Sequence, residues 1–146
     1  MLIHGTSVEV DGAGILLRGP PGSGKSDLAL RLISEREARL VADDQVEVAL
    51  RDGILVASAP ETLAGMIEVR GLGIARLDHH PSWAVHLVIE LCDTVARFPE
   101  PRHTVIAGRP LPVCRLCATE ASAVAKVMLA VQALQGTVPL DGGFGC

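Results

Sequence analysis

A glycine-rich segment near the amino terminus has the residue types and the spacing of a phosphate-binding loop. The segment Gly19-Pro-Pro-Gly-Ser-Gly-Lys25-Ser26 meets the pattern G-x-x-x-x-G-K-S in full. Its glycines allow consecutive backbone N–H groups to turn inward around a phosphate, and a following helix adds the positive end of its dipole. Lys25, one of only two lysines in the chain, would reach the β and γ oxygens of a nucleotide, and the Ser26 hydroxyl would bind Mg²⁺. The predicted nucleotide-binding residues are Gly19, Pro20, Pro21, Gly22, Ser23, Gly24, Lys25 and Ser26.

Two adjacent carboxylates supply the acid–base chemistry that a phosphate loop alone lacks. Asp43 and Asp44 follow the apolar run Leu40-Val41-Ala42, which reads as the end of a buried strand. In phosphate-loop proteins such an aspartate often lies beside Mg²⁺, and a second carboxylate there could accept the proton of an attacking hydroxyl. Neighbouring residues of a strand point to opposite faces, so we expect at most one of the two to face the phosphates unless the strand has ended. A solvated Asp-Asp turn is the alternative.

A second charged pair follows about 25 residues later. Glu68 and Arg70 are two residues apart in Met66-Ile67-Glu68-Val69-Arg70, a predicted strand that leads into a glycine pair. On one face of a strand, a carboxylate and a guanidinium can supply a Mg²⁺ ligand and a clamp for the charge of a transferring phosphoryl group. The alternative is an exposed ion pair that contributes little.

Taken together, four blocks in this order resemble the catalytic, carboxyl-terminal domain of HPr kinase/phosphorylase. The blocks are His4-Gly5, Gly19–Ser26, Leu40–Asp44 and Glu68-Val-Arg70-Gly-Leu-Gly-Ile74. That family acts on the small phosphocarrier protein of the sugar phosphotransferase system. The resemblance implies a P-loop fold like that of HPr kinase and PEP carboxykinase, ATP and Mg²⁺ as cofactors, and an HPr-like phosphocarrier as the partner.

The resemblance also implies a role for each matching residue. Lys25 would hold the β and γ phosphates, and Asp43 would accept the serine proton and return it in the reverse reaction. The candidate metal ligands are Ser26, Glu68 and Asp44. His4 matches the active-site histidine of the family, Arg70 lies in its signature stretch, and Arg97 matches a further active-site arginine.

Three departures from the family pattern qualify these expectations. The chain begins directly at the catalytic domain, so we expect a short form without the usual amino-terminal domain. The segment 75–84 is shorter than the corresponding loop, and Val113-Cys-Arg115-Leu-Cys117 replaces the Pro-Gly-Arg-Asn loop that is associated with dephosphorylation. These differences leave phosphorylase activity and a homo-oligomer open.

The elements that must position these residues form one predicted domain over residues 1–146. We predict an α/β fold with a β-rich central sheet and two flanking helices, at 26–37 and 119–134. Residues 93–103 are predicted as a loop and residues 136–146 as an irregular tail. The predicted strands cover 2–10, 15–17, 39–42, 46–50, 54–57, 66–69, 74–77, 85–91 and 109–113, and Asp52-Gly53 is a predicted hairpin turn.

Composition narrows the class of partner. The 146 residues include 49% hydrophobic but only 2% aromatic residues, and the formal net charge is -4. Base-stacking aromatics and a basic stripe are both lacking, so we predict neither nucleic acid nor an anionic membrane as a partner. Without a signal-peptide pattern or a spanning apolar run, we expect a cytoplasmic protein whose four cysteines are thiols.

Three functions compete. The leading prediction is an ATP-dependent kinase for a serine of the phosphocarrier. The alternatives are a P-loop kinase of a small metabolite, which would favour an arginine-rich lid, and a nucleotide-binding regulatory module without transfer activity. Cys114-x-x-Cys117 lacks the second ligand pair of a zinc knuckle, and we predict no metal or redox role for it.

Overall fold

The chain folds into three layers, with a six-stranded sheet between two helices and a second, four-stranded sheet. The structure, a computed structural model, describes residues 1–142, and residues 143–146 of the predicted tail lie outside the described residues. The helices are α1 (Lys25–Arg36) and α2 (Ala123–Leu134). A short 3₁₀ helix covers Glu61–Leu63. The strands are β1 (Leu2–His4), β2 (Thr6–Val10), β3 (Ala13–Arg18), β4 (Arg39–Ala42), β5 (Gln45–Arg51), β6 (Ile54–Ser58), β7 (Met66–Val69), β8 (Gly73–Arg76), β9 (Ser82–Ala84), β10 (Leu87–Leu91), β11 (Arg102–Ile106) and β12 (Arg109–Leu116).

The six-stranded sheet has the order β11-β12-β10-β3-β2-β4. Strands β12, β10 and β3 run parallel, whereas β11, β2 and β4 pair antiparallel with their neighbours. The second sheet, β1-β5-β6-β9, is antiparallel throughout, and β7 and β8 form a separate hairpin. The predicted α/β class, with a central sheet and flanking helices, is confirmed.

Two apolar cores hold the layers together, one on each face of the six-stranded sheet. On one face, Leu17 of β3 and Ile89 of β10 pack with Leu28 of α1 and Val127 of α2. On the other face, alternate residues of the same strands pack against Val46, Val48 and Leu55 of the four-stranded sheet. Because β3 and β10 are covered on both faces, their sequences read as continuous apolar runs rather than as alternating ones.

The predicted strand 2–10 is wrong in one respect, because it is two strands that belong to different sheets. The break lies at Gly5, whose N–H donates to the carbonyl of Asp44 at 3.1 Å. A Cβ at Gly5 would lie 2.8 Å from the carbonyl oxygen of Leu17, closer than real side chains approach. The chain therefore bends at this glycine from β1 into β2.

Other boundaries agree with the sequence to different degrees. Strand β4 has the predicted limits, and α1 is shifted by one residue. Asp52 and Gly53 both have positive φ, at 53° and 77°, as the predicted two-residue hairpin turn requires. Strand β9 and residues 104–106 of β11 lie where no element was predicted, and Arg102 and His103 of β11 lie in the predicted loop. Helix α2 begins at Ala123 rather than at 119. Residues 136–142 contribute no helix or strand.

Neither α-helix of residues 1–142 has the length and the apolar character needed to cross a membrane.

Candidate active site

The glycine-rich segment forms a loop between β3 and the first turn of α1. Gly22 and Gly24 have φ angles of 81° and 98°, a region that other residues rarely adopt. Gly24 caps α1 in this conformation, and a Cβ there would lie 2.9 Å from the Cβ of Ala118. Glycine is therefore required at this position both by the backbone angle and by the neighbouring chain.

The beginning of the loop is equally crowded. A Cβ at Gly19 would lie 2.5 Å from the hydroxyl oxygen of Ser23 and 3.0 Å from the carbonyl oxygen of Leu91, at the end of β10. The Ser23 hydroxyl is buried and has no hydrogen-bond partner within residues 1–142. Buried hydroxyls are normally paired, so this one is a donor that a phosphate oxygen would satisfy.

The side chain of Lys25, at the end of the phosphate loop, binds back to the beginning of the loop. Its side chain is only 8% exposed, and its ammonium donates to the carbonyl oxygens of Gly19, at 2.7 Å, and Pro20, at 3.1 Å. An ammonium has three N–H donors, so one remains for a phosphate oxygen. The buried charge and the first helical turn together give the loop its affinity for anions.

Asp43 is the centre of a buried hydrogen-bond network. It is 5% exposed, and its Oδ1 accepts from the Ser26 hydroxyl at 2.7 Å and from the Thr6 hydroxyl at 2.9 Å. Its Oδ2 accepts from the backbone N–H of Glu68 at 3.3 Å. The carboxylate thus joins the phosphate loop, the central sheet and the β7–β8 hairpin at one point.

Asp44 points away from Ser26, although strand alternation is not the reason. The strand has ended at Ala42, and Asp44 takes a left-handed φ of 72°. Its Oδ1 lies 3.6 Å from Nδ1 of His4, with 64% of the Asp44 side chain and 54% of the His4 side chain exposed. The structure therefore brings Asp43, and not Asp44, to Ser26.

The remaining predicted residues lie outside the buried network. Glu68 is on β7 with an exposed side chain, and Arg70 is exposed in the turn one residue beyond that strand. Arg97 is in the irregular segment before β11, with its guanidinium carbon 5.4 Å above the Phe98 ring. No hydrogen bond or ion pair joins Arg97 to another residue of the described part of the chain.

Thr6 is the network member that sequence reasoning did not find. In the sequence it is one of several β-branched residues of a predicted strand, and nothing in the periodicity distinguishes it. Only the bend at Gly5, together with the pairing of Thr6 with Leu17, reveals that its hydroxyl faces the phosphate loop.

The oxygen donors at this site fit Mg²⁺. The hydroxyl of Ser26 and the carboxylate of Asp43 are hard ligands beside a phosphate loop, and Mg²⁺ is usually held by one or two carboxylates together with substrate phosphates. Residues 1–142 contain no group of three or more His, Cys, Asp or Glu side chains that would hold a metal ion. The Ser26 hydroxyl is therefore the group of this network that would hold Mg²⁺ with a bound nucleotide.

The cysteine pair has no access to this chemistry. Cys114 packs against the core beneath α2, and burial raises the pKa of its thiol to about 12. Such a thiol stays protonated near neutral pH and is a poor nucleophile or metal ligand. Cys117 lies beyond the end of β12, with its Sγ 3.1 Å from the Thr119 hydroxyl oxygen.

Comparison with known proteins relates the site to a family. Residues 1–91 match the family model of the HPr Serine kinase C-terminal domain. The HPr kinase/phosphorylase of Clostridium botulinum (strain Eklund 17B / Type B) is 50% identical over 72 residues, which make up 49% of this chain and 23% of that protein. The HPr kinase/phosphorylase of Geobacillus sp. (strain WCH70) is 50% identical over 76 residues, 51% of this chain and 24% of that protein. The chain thus spans about a quarter of the length of these curated relatives.

A solved structure shares the fold over nearly the whole chain. The Hpr(Ser) kinase/phosphatase from Coxiella burnetii superposes with a TM-score of 0.81, covers 93% of each chain and has 24% sequence identity. At this identity the likeness shows the fold alone. The family model covers 91 of the 146 residues and includes all four sequence blocks, so the predicted resemblance is confirmed and the chain belongs to the HPr Serine kinase C-terminal domain family.

Proposed function

We propose that this chain is an ATP-dependent kinase that phosphorylates a serine of an HPr-type phosphocarrier protein in the cytoplasm. The observation that carries the proposal is the 2.7 Å hydrogen bond between Ser26 of the phosphate loop and the buried Asp43. In the proposal this carboxylate lies beside the γ-phosphate and accepts the proton of the attacking hydroxyl. The name of the matching family, HPr Serine kinase, supports the choice of a serine acceptor, and the relatives named HPr kinase/phosphorylase support an HPr-type carrier.

The reaction is an in-line displacement. The serine oxygen of the acceptor attacks the γ-phosphorus, its proton passes to Asp43, and the bond between the γ-phosphorus and the bridging oxygen breaks, so that ADP leaves with the electron pair. Lys25 neutralises charge on the β and γ oxygens, and the loop N–H groups orient them. Arg70 and Arg97 are the predicted residues for charge on the transferring group, and His4 is predicted to assist through the acidic pair.

Mg²⁺ supplies charge neutralisation between the β and γ phosphates when it is bound. The predicted ligands are Ser26, Glu68 and Asp44. Of the two aspartates only Asp43 contacts Ser26, and the proposal assigns the Asp43 carboxylate to proton transfer. The side chain of Glu68 is exposed, whereas its neighbour Ile67 is buried. The backbone N–H of Glu68 donates to Asp43 and so fixes the position of the residue.

A direct transfer assay tests the function. The protein is incubated with Mg²⁺-ATP and a purified phosphocarrier, and phosphoserine is located on the carrier by mass spectrometry. One phosphoserine, formed by the wild type and not by Lys25→Met, is the expected result. ATP binding without transfer would instead indicate a regulatory module. Transfer to a small metabolite but not to the carrier would indicate the other kinase class.

The same material tests the reverse direction and the assembly. Phosphate or pyrophosphate is added to phosphorylated carrier, and loss of phosphoserine reports phosphorylase activity. Light scattering at several protein concentrations reports whether the chain forms a homo-oligomer.

A further inference from the structure

The Thr6 hydroxyl is a fully buried group that contacts the proposed proton acceptor. Thr6 is 0% exposed, and its Oγ1 lies 2.9 Å from Oδ1 of Asp43. The bend at Gly5 and the pairing of Thr6 with Leu17 place this side chain on the helix-facing side of the sheet, where the phosphate loop begins. A buried threonine could pair with a backbone carbonyl, but this one pairs with a carboxylate, in a stronger charge-assisted bond.

Three donors hold Asp43, and they differ in what can move them. Ser26 belongs to the loop that receives the nucleotide, and its hydroxyl is shared with Mg²⁺ in the proposed function. The N–H of Glu68 belongs to a two-stranded hairpin outside the main sheets. Thr6 lies on β2, which is paired on both sides, with β3 and with β4. Of the three donors, Thr6 is therefore the one fixed by the central sheet.

The distribution of these bonds distinguishes the two oxygens of Asp43. A carboxylate oxygen offers about two lone-pair sites, and Oδ1 uses both, for Thr6 and Ser26. Oδ2 accepts only the longer bond from Glu68, at 3.3 Å, and keeps a lone pair free. The last torsion of an aspartate is broad, so without a fixed donor on Oδ1 the carboxylate plane can rotate and move Oδ2 away from its position.

We propose that Thr6 is a positioning residue that holds Oδ1 of Asp43 and thereby fixes the plane of the carboxylate, so that Oδ2 stays in position to accept the proton of the attacking serine. The inference rests on the proposed function. In the step itself, the serine O–H bond breaks, the proton binds Oδ2, and the serine oxygen forms the bond to the γ-phosphorus as ADP departs. Thr6 gives up no atom and changes no charge, so it affects orientation rather than nucleotide binding.

The test compares Thr6→Val and Thr6→Ala, which remove the hydroxyl, with Thr6→Ser, which restores it. The expected result is a fall in kcat of roughly 10- to 100-fold for both hydroxyl-free variants, because a displaced catalytic group costs about that much. The KM for ATP and the Kd of a non-hydrolysable analogue should stay within about threefold, and Thr6→Ser should recover most of kcat. Ser7→Ala is the matched control, since Ser7 is the next buried hydroxyl but alternates to the opposite face of β2.

Each possible result either supports or contradicts the role proposed for Thr6. A wild type that transfers no phosphoryl group contradicts the proposed function and with it this inference. If the wild type is active, the inference alone is overturned by a hydroxyl-free variant with wild-type kcat, by loss of analogue binding that matches the loss of kcat, or by a Thr6→Ser variant as slow as Thr6→Ala. Thr6→Ala removes volume without adding a new group, so it preserves the comparison if Thr6→Val does not fold, with thermal melting as the check.

Discussion

The candidate site has a buried half and an exposed half that are organised very differently. In the buried half, Asp43 accepts hydrogen bonds from Ser26 at 2.7 Å and from Thr6 at 2.9 Å, and Lys25 donates separately to two carbonyls of the phosphate loop at 2.7 and 3.1 Å. In the exposed half, the charged residues His4, Asp44, Glu68, Arg70 and Arg97 face solvent, and the contact between His4 and Asp44 is 3.6 Å.

This difference shows which part of the chemistry is already in place before a substrate binds. Side chains in a buried network of low dielectric are already oriented, so they lose little conformational freedom during the reaction. Their electrostatic interactions are strong because this orientation is fixed. Exposed charges are screened by water until a ligand covers them, so their pairing contributes little beforehand. We infer that the buried half provides the catalytic orientation and that the exposed half contributes much less to the rate.

The test with the largest expected effect replaces each of the two neighbouring aspartates, in turn, by asparagine. Asp43→Asn should lower kcat by about 10³-fold, within the range for loss of a general base, because an amide cannot accept the proton. Asp44→Asn should lower it by less than about tenfold, because Asp44 contacts only the exposed His4 among these groups. Phosphoserine formation measured under single-turnover conditions gives both values. Equal losses would show that the buried and exposed carboxylates share one function and would remove the contrast.

How far the sequence alone leads differs between the same two halves. The phosphate loop, α1 and β4 follow from local signals, namely the glycine spacing, the apolar face of the helix and a buried run that ends in carboxylates. Gly5 looks like any residue within a strand, since the carbonyl of Leu17 that leaves no room for a Cβ there belongs to another strand. Thr6 could not be assigned for the same reason.

The region after residue 91 shows the limits of pattern reading most clearly. Strand β11 pairs only with β12 at the edge of the sheet, and its residues are mainly polar and exposed, so no alternation distinguishes it from a loop. The residues between Thr119 and Ser122 satisfy helix-start rules, yet the helix begins only at Ala123, where the buried contacts with the core begin. Tertiary contacts, rather than propensity, set these boundaries.

A second test compares two glycines of the loop. Both have positive φ, but a Cβ at Gly22 meets nothing within 4 Å, whereas one at Gly24 meets Ala118 at 2.9 Å. Gly22→Ala should therefore cost about 1 to 2 kcal/mol in the free energy of unfolding, from the backbone alone. Gly24→Ala should cost more and should also weaken ATP-analogue binding by roughly 30-fold, which corresponds to about 2 kcal/mol.

Urea unfolding and equilibrium binding measure the two quantities for each variant. If Gly22→Ala weakens binding as much as Gly24→Ala does, the open side of the loop is as tightly constrained as the side against Ala118. The buried half would then extend further around the nucleotide than the contacts indicate.

A third test separates the two roles of Glu68. Glu68→Ala keeps the backbone N–H that holds Asp43 and removes only the exposed carboxylate. We expect the Mg²⁺ concentration for half-maximal activity to rise about tenfold, with kcat at saturating Mg²⁺ within about threefold of wild type. A fall in kcat that excess Mg²⁺ does not restore would place this carboxylate in the catalytic step itself. Glu61→Ala, another exposed glutamate, serves as the control for loss of charge.

The smallest expected effect concerns Arg97, which resemblance assigns to the active site and the structure places against Phe98 in the irregular segment before β11. A solvent-exposed contact of this kind is worth about 0.5 to 1 kcal/mol at most. If the exposed half acts as the contrast predicts, Arg97→Ala should change kcat for carrier phosphorylation by less than about threefold, like Arg51→Ala at a distant hairpin. A loss above tenfold for Arg97→Ala alone would mean that the acceptor draws this arginine to the phosphate loop. Substrate binding would then assemble the exposed half. The two halves would differ in when they act and not in how much they contribute to the rate.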